Sequence, residues 1–261
     1  MKHRMKSLPG VFLACFALNA ALLSNPGRGA DLPSRYEFPT LLTGTIYAAN
    51  SDPKRVLYKF KRTVTRAGNT VTAIREFTGP DGKLAARESA VYEGENLVAF
   101  GLEEIQIDAH AAVKLSRAAK TEPTISFKYV SDKNTRTKVS SEALRPDTLI
   151  ADMVPPFLRM HWDELMKGKV VKCRYIAADR AETVGFKFGK HAESTRNGQP
   201  VVVIKMSPSS LVIAALVDPL YFTLEKDGEH RVLQYEGRTT PKIKDGNKWK
   251  DLDALTAFDW N

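Results

Sequence analysis

From residue 56 onward the side chains switch between apolar and polar at almost every step, and this period of two restricts the chain to sheet. "VLYKFKRTV" (56–64) sets Val56, Tyr58 and Phe60 against Leu57, Lys59 and Lys61. After the turn "AGN", "TVTAIREF" (70–77) alternates again, and "GPDG" (79–82) turns the chain once more. "KLAARESAVYE", "ENLVAF", "EEIQID", "TISFKYVS" and "TRTKVSS" continue the meander as far as residue 141. In a strand, successive side chains point to opposite faces, so such alternation describes an antiparallel sheet with one wet face. The pattern resumes in "KVVKCRYIAA" (169–178), "TVGFKFGKH" (183–191), "PVVVIKMSP" (200–208) and "EHRVLQYEGRTTP" (229–241). Asp227-Gly228 marks a hairpin turn.

Two stretches break the rhythm. "RPDTLIADMVPPFLRMHWDELMKG" (145–168) reads as a short helix capped by Asp147, an interruption at Pro155-Pro156, and a second helix from Phe157 to Lys167. "SPSSLVIAALVDPLYFTLEKDG" (207–228) is the most apolar run outside the N-terminus. Asp218-Pro219 ends it far short of the ~20 residues that cross a bilayer. A buried strand fits Val212, Ile213 and Val217. A short helix capped by Ser209 or Ser210 and stopped by Pro219 fits its place between two strands better. Such a block would plug an apolar concave face. The end of the chain, from about residue 242, reads as a polar tail with Trp249, Leu252, Leu255, Phe258 and Trp260 as anchors.

The expected fold is therefore mainly β (α+β): one curved antiparallel sheet or half-barrel with short helices on its concave side. No parallel strand–helix–strand rhythm, internal repeat or long linker interrupts residues 31–261, which are expected to form a single domain.

The first thirty residues have a different character. Lys2, Arg4 and Lys6 precede an apolar run from Leu8 to Leu23. Asn25-Pro26-Gly27 then breaks any helix, and the small residues Gly29 and Ala30 follow. This is the layout of a secretory signal peptide, with cleavage expected near Ala30 and Arg28 leaving the exact bond open. Cys15, after "VFLA", offers lipidation as the rival reading. Periplasmic or secreted localisation follows from cleavage. The segment carries four basic residues and no acid, so its removal lowers the formal charge from +9 by four. The remaining basic residues are scattered among acidic ones, which argues against a nucleic-acid partner and leaves a weak attraction to anionic lipid surfaces open.

Chemical motifs are sparse. Cys173 alone remains after cleavage and lies in an alternating run, where a thiol reads as a small buried apolar residue. There is no Gly-x-Ser-x-Gly stretch, phosphate loop or dinucleotide glycine pattern. His161 and Glu164 in "HWDE" share a helical face, as two metal ligands could, but no third ligand is indicated. Glu103-Glu104 and Asp251–Asp253 read as solvated faces. No catalytic residue, metal or cofactor is expected.

The order of signal peptide, long meander, central helices "DTLIADM" and "PPFLRMHWDELMKG", further strands and the ending "DPLYFTLEKDG...YEGRTTP" resembles exported proteins built as a half-barrel around helices. The periplasmic lipoprotein-localisation factors share that build. The resemblance implies an apolar groove for a lipid or acyl chain and transfers no individual residue. On this reading Met160, Trp162, Leu211, Val212, Leu216, Tyr221 and Phe222 line one apolar surface. The alternatives are an envelope scaffold with a filled core and, third, a hydrolase with an unrecognised site.

Overall fold

Among the described residues fifteen strands lie in one sheet, and the connection between its two edges dictates its curvature. The computed structural model describes residues 34–49, 54–131, 136–214 and 218–260. The strands of the first half are β1 (Leu41–Ala48), β2 (Val56–Ala67), β3 (Thr70–Thr78), β4 (Leu84–Glu93), β5 (Asn96–Glu104), β6 (Ala109–Ser116), β7 (Thr124–Ser131) and β8 (Arg136–Ala143). Those of the second half are β9 (Thr148–Leu149), β10 (Val171–Ala177), β11 (Glu182–Arg196), β12 (Gln199–Pro208), β13 (Leu220–Glu225), β14 (Val232–Asp245) and β15 (Lys248–Asp259). Their order is β8-β7-β6-β5-β4-β3-β2-β1-β15-β14-β13-β12-β11-β10-β9. The chain thus meanders from the middle to one edge, steps to the other edge, and meanders back to pair β15 with β1, Gly44 facing Phe258 and Ile46 facing Thr256.

The step from β8 to β9 is made by residues 144–147 alone. Those few residues reach at most about 17 Å. A flat sheet of this strand number would be roughly 70 Å wide. The sheet must therefore curl until its edges approach. They meet through side chains rather than through a backbone ladder. Lys138 Nζ donates to the Asp179 carbonyl at 3.1 Å, and Ser140 Oγ donates to that of Ala181. The Glu142 carboxylate accepts the Thr183 N–H at 2.6 Å and its hydroxyl at 3.0 Å. β8 is polar and exposed along its length, the composition that discourages an edge strand from pairing with another chain.

The concave side carries the core. Its larger cluster gathers Phe100, Phe127, Phe188, Ile204, Met206, Phe222 and Leu224 with Phe157, Leu158 and Leu165 from the helical segment. A smaller cluster holds Leu42, Ile46, Phe60, Phe77, Leu252 and Ala254. The mainly β, curved, unclosed sheet with few short helices is the fold expected from the alternation.

Several local readings need correction. Thr148-Leu149 is a short strand parallel to β10, not the start of a helix, and Asp147 before it has positive φ. Pro155-Pro156 opens α1 (Val154–Met160) instead of interrupting a helix. Proline lacks an N–H that the first turn would leave unsatisfied anyway, so it is well placed there. The helix breaks at His161, and α2 (Trp162–Met166) follows. "EEIQID" ends β5 and turns through a 3-10 segment, Ile105–Ile107. The supposed polar tail is the end of β14 and all of β15. There Leu252, Ala254 and Thr256 are buried at every second position, Asp251, Asp253 and Asp259 alternate with them on the other face, and Lys248 and Lys250 continue the phase of Leu252 where the strand is exposed.

Candidate functional site

Between the two apolar clusters lies a cavity of about 400 Å³, and residues of both form its wall. Phe60 and Phe77 face each other across β2 and β3 with ring centres 5.6 Å apart, and Phe258 meets Phe60 edge-on at 5.5 Å. On the other side Phe222 and Tyr235 are opposed on β13 and β14, 5.0 Å apart. Tyr175 meets Phe186 at 6.0 Å. These rings belong to strands distant in sequence, brought together because every one occupies the inward phase of its strand.

The same phase also carries charges. Arg62, Arg75 and Glu88 stand directly opposite one another on β2, β3 and β4. Two guanidinium groups opposed on one face repel, and the fold gives each its own carboxylate. Arg62 Nε donates to Asp152 at 2.6 Å, and Arg75 Nη1 donates to Glu88 at 2.6 Å. Arg62 also donates to the carbonyls of Tyr36, at 2.7 Å, and Pro39, at 2.5 Å, while Tyr92 Oη donates to Asp152 at 2.9 Å. The Tyr36 and Tyr92 rings stack at 4.2 Å. Asp152 comes from the 3-10 turn before α1, so this buried hub fastens the helical segment to the sheet. Burial alone would raise the Asp152 carboxyl, but the adjacent Arg62 charge and hydrogen bonds hold it below the usual carboxylate range.

A third pair, Glu104 with Lys242, closes at 2.9 Å, and Lys242 also reaches Asp251 at 2.8 Å. Burial would pull the Lys242 ammonium down, but its two carboxylate partners outweigh it and leave the group raised. Burial, with Glu104 beside it, pushes the Tyr129 hydroxyl up to about 12. Arg75 lies over both Phe60 and Phe77, 5.3 and 5.7 Å from their centres, so its charge is held against the aromatic wall. The cavity is thus mostly apolar, and these buried charges are tied to its own frame.

The residues assigned from sequence to one surface do not meet there. Phe222 lines the cavity. Tyr221, its neighbour on β13, points to the opposite face, with its ring 5.2 Å from His191; adjacent strand residues cannot share a surface. Met160 is exposed and lies outside the cavity wall, in a neighbouring depression with Arg35, Glu95 and Arg117. Trp162 stacks on His230 at 3.9 Å and packs against the core without entering the cavity wall. The apolar block forms α3 (Leu211–Ala214), of which Ile213 lines the cavity; the side chains of Leu211 and Val212 and the whole of Leu216 lie outside the described residues.

Cys173 is buried and free, and burial pushes its thiol up to about 12, which suits packing and not nucleophilic chemistry. His161 Nδ1 lies 3.4 Å from Glu164, and its Nε2 is buried without a hydrogen-bond partner among the described residues. Among the described residues no cluster of three or more His, Cys, Asp or Glu side chains is arranged to hold a metal, and no helix is long and apolar enough to cross a membrane.

No protein-family model matches the chain. No curated protein matches it either. Among solved structures it is similar to a β-barrel-like protein of a domain of unknown function, DUF1849, from Brucella abortus. The two are 8% identical, with a TM-score of 0.40 over 84% of this chain and 96% of that chain.

Proposed function

We propose that this chain is an exported cell-envelope protein that holds an apolar molecule, a lipid or its acyl chain, inside the curved sheet. One observation carries the reading: a cavity of about 400 Å³ with an aromatic wall, left between two clusters that are otherwise close-packed. Cavities of roughly 300–1,000 Å³ with apolar walls and a few placed polar groups are the usual form of small-molecule sites. The N-terminal layout supports export, and the resemblance in element order to periplasmic lipoprotein-localisation factors supports an acyl ligand. The three buried pairs of the wall, Arg62 with Asp152, Arg75 with Glu88 and Lys242 with Glu104, fit a site that accepts hydrocarbon, since these six groups need no partner from the ligand.

The test is binding of an apolar fluorescent naphthylamine, compared with the variant Ile213→Trp. Ile213 is half-buried on α3 and lines the cavity, so an indole there fills space without displacing a buried core side chain. Saturable binding by the native chain and its loss in a folded Ile213→Trp protein are expected. Equal binding by both would remove the cavity as the site.

A further inference from the structure

Among the described residues seven cationic side chains contribute to the cavity wall: Arg35, Arg62, Arg75, Arg159, Arg180, Arg238 and Lys242. Six of them are matched by carboxylates. Arg35 pairs with Glu95, Arg62 with Asp152, Arg75 with Glu88, Arg180 with Glu182, Arg238 with Asp251 and Asp253, and Lys242 with Glu104 and Asp251. The guanidinium of Arg159 alone has no ion pair or hydrogen bond among the described residues, although the residue is half-buried. It belongs to the last turn of α1. The charges that act on it are Glu229, which is exposed on the β13–β14 turn, and the like-charged Arg62, which is already committed to Asp152. Burial lowers its guanidinium from the ordinary value.

A partly desolvated guanidinium with all its donors free is an expensive feature beside an aromatic cavity. For each of the other six cations in this wall the fold has supplied the counter-charge. A planar guanidinium matches a carboxylate with two parallel hydrogen bonds. We infer that the cavity takes a single-chain amphiphile with a carboxylate head, its hydrocarbon tail against the aromatic wall and its head on Arg159. The inference rests on the cavity reading above and adds the class of ligand to it.

Laurate and 1-dodecanol distinguish the two claims, because they share a tail and differ in the head. Calorimetric titration of the full chain at neutral pH, with circular dichroism as the check on folding, is the measurement. The native protein should bind laurate about ten-fold or more tightly than dodecanol. Arg159→Gln should abolish that preference and leave dodecanol binding in place, whereas Arg159→Lys should retain part of it. Equal binding of both ligands by the native protein would overturn the carboxylate assignment and leave the cavity reading standing. So would an undiminished laurate preference in a folded Arg159→Gln protein. Binding of neither ligand would overturn the cavity reading, and the assignment with it. The native comparison decides the matter even if Arg159→Gln does not fold.

Discussion

Two rows of charges cross β2, β3 and β4 one residue apart, on opposite faces of the same strands. The inner row is Arg62, Arg75 and Glu88; the outer row is Lys61, Glu76 and Arg87, continued by Glu103 and His110 on β5 and β6. The outer row alternates in sign along most of its length, and its ion pairs join Arg87 to Glu76 at 2.9 Å and to Glu103 at 3.5 Å. These side chains are 32–54% exposed, so water already serves them. The inner row does not alternate. Its two arginines are adjacent, and Arg62 depends on a carboxylate from the helical segment, with side chains only 7% and 3% exposed. Identical chemistry one residue apart thus has different consequences. Outside, charges decorate the sheet; inside, they fix where the helices dock and frame the cavity.

The largest effect should come from breaking the inner hub. Asp152→Ala leaves Arg62 buried without its counter-charge and should destabilise the chain by about 3–5 kcal/mol in denaturant unfolding. A loss under about 1 kcal/mol, the range of exposed pairs, would erase the distinction between the rows. The same carboxylate predicts acid sensitivity. Its native pKa is depressed, so its contribution is fully present above the unfolded value, ~3.9, and disappears as pH falls through the native value. Stability curves of native and Asp152→Ala proteins should therefore converge as the pH falls below about 4.

Arg75→Met comes next. It strands Glu88 behind the aromatic wall, with Thr240 as its remaining hydrogen-bond donor, and should cost about 3 kcal/mol. Adding Glu88→Leu should recover much of that loss, because removing both members of a buried pair is far milder than removing one. Failure of the second change to help would show that the pair is not an isolated unit.

On the outer row, Glu76→Gln should cost about 1 kcal/mol or less, and the difference should shrink in high salt. The smallest effect tests a place where the outer face lacks alternation. Lys172 on β10 stands directly opposite Lys187 on β11, and neither forms an ion pair among the described residues. Lys187→Glu should stabilise by roughly 0.2–1 kcal/mol in low salt. A destabilised variant would mean that the outer face does not obey simple cross-strand electrostatics.

The strands are legible because one face is wet: alternation in "TVTAIREF" follows directly from burial of every second residue, Val71, Ala73 and Phe77 among them. The inward charges are just as visible in the same period. Arg62 shares the phase of Phe60, Arg75 that of Phe77, and Glu104 that of Leu102, each an ionisable group in a run of buried positions. Strict use of the same period would have separated Tyr221 from Phe222 and would have read Leu252, Ala254 and Thr256 as a strand. The cavity itself was not legible. Its wall joins Phe60 to Phe258 and Phe222 to Tyr235, and the pairing of β1 with β15 that closes this arrangement depends on contacts across nearly the whole chain. Period alone says which face a residue occupies, not which strand will lie beside it.

The most direct test of the central claim is native mass spectrometry of the protein recovered from its own cells without detergent, alongside Ile213→Trp prepared in the same way. The native protein should carry a bound species that organic extraction releases, and the filled variant should carry none. A native protein with only the mass of its own chain, unable to take up laurate or dodecanol when they are supplied, would contradict the account.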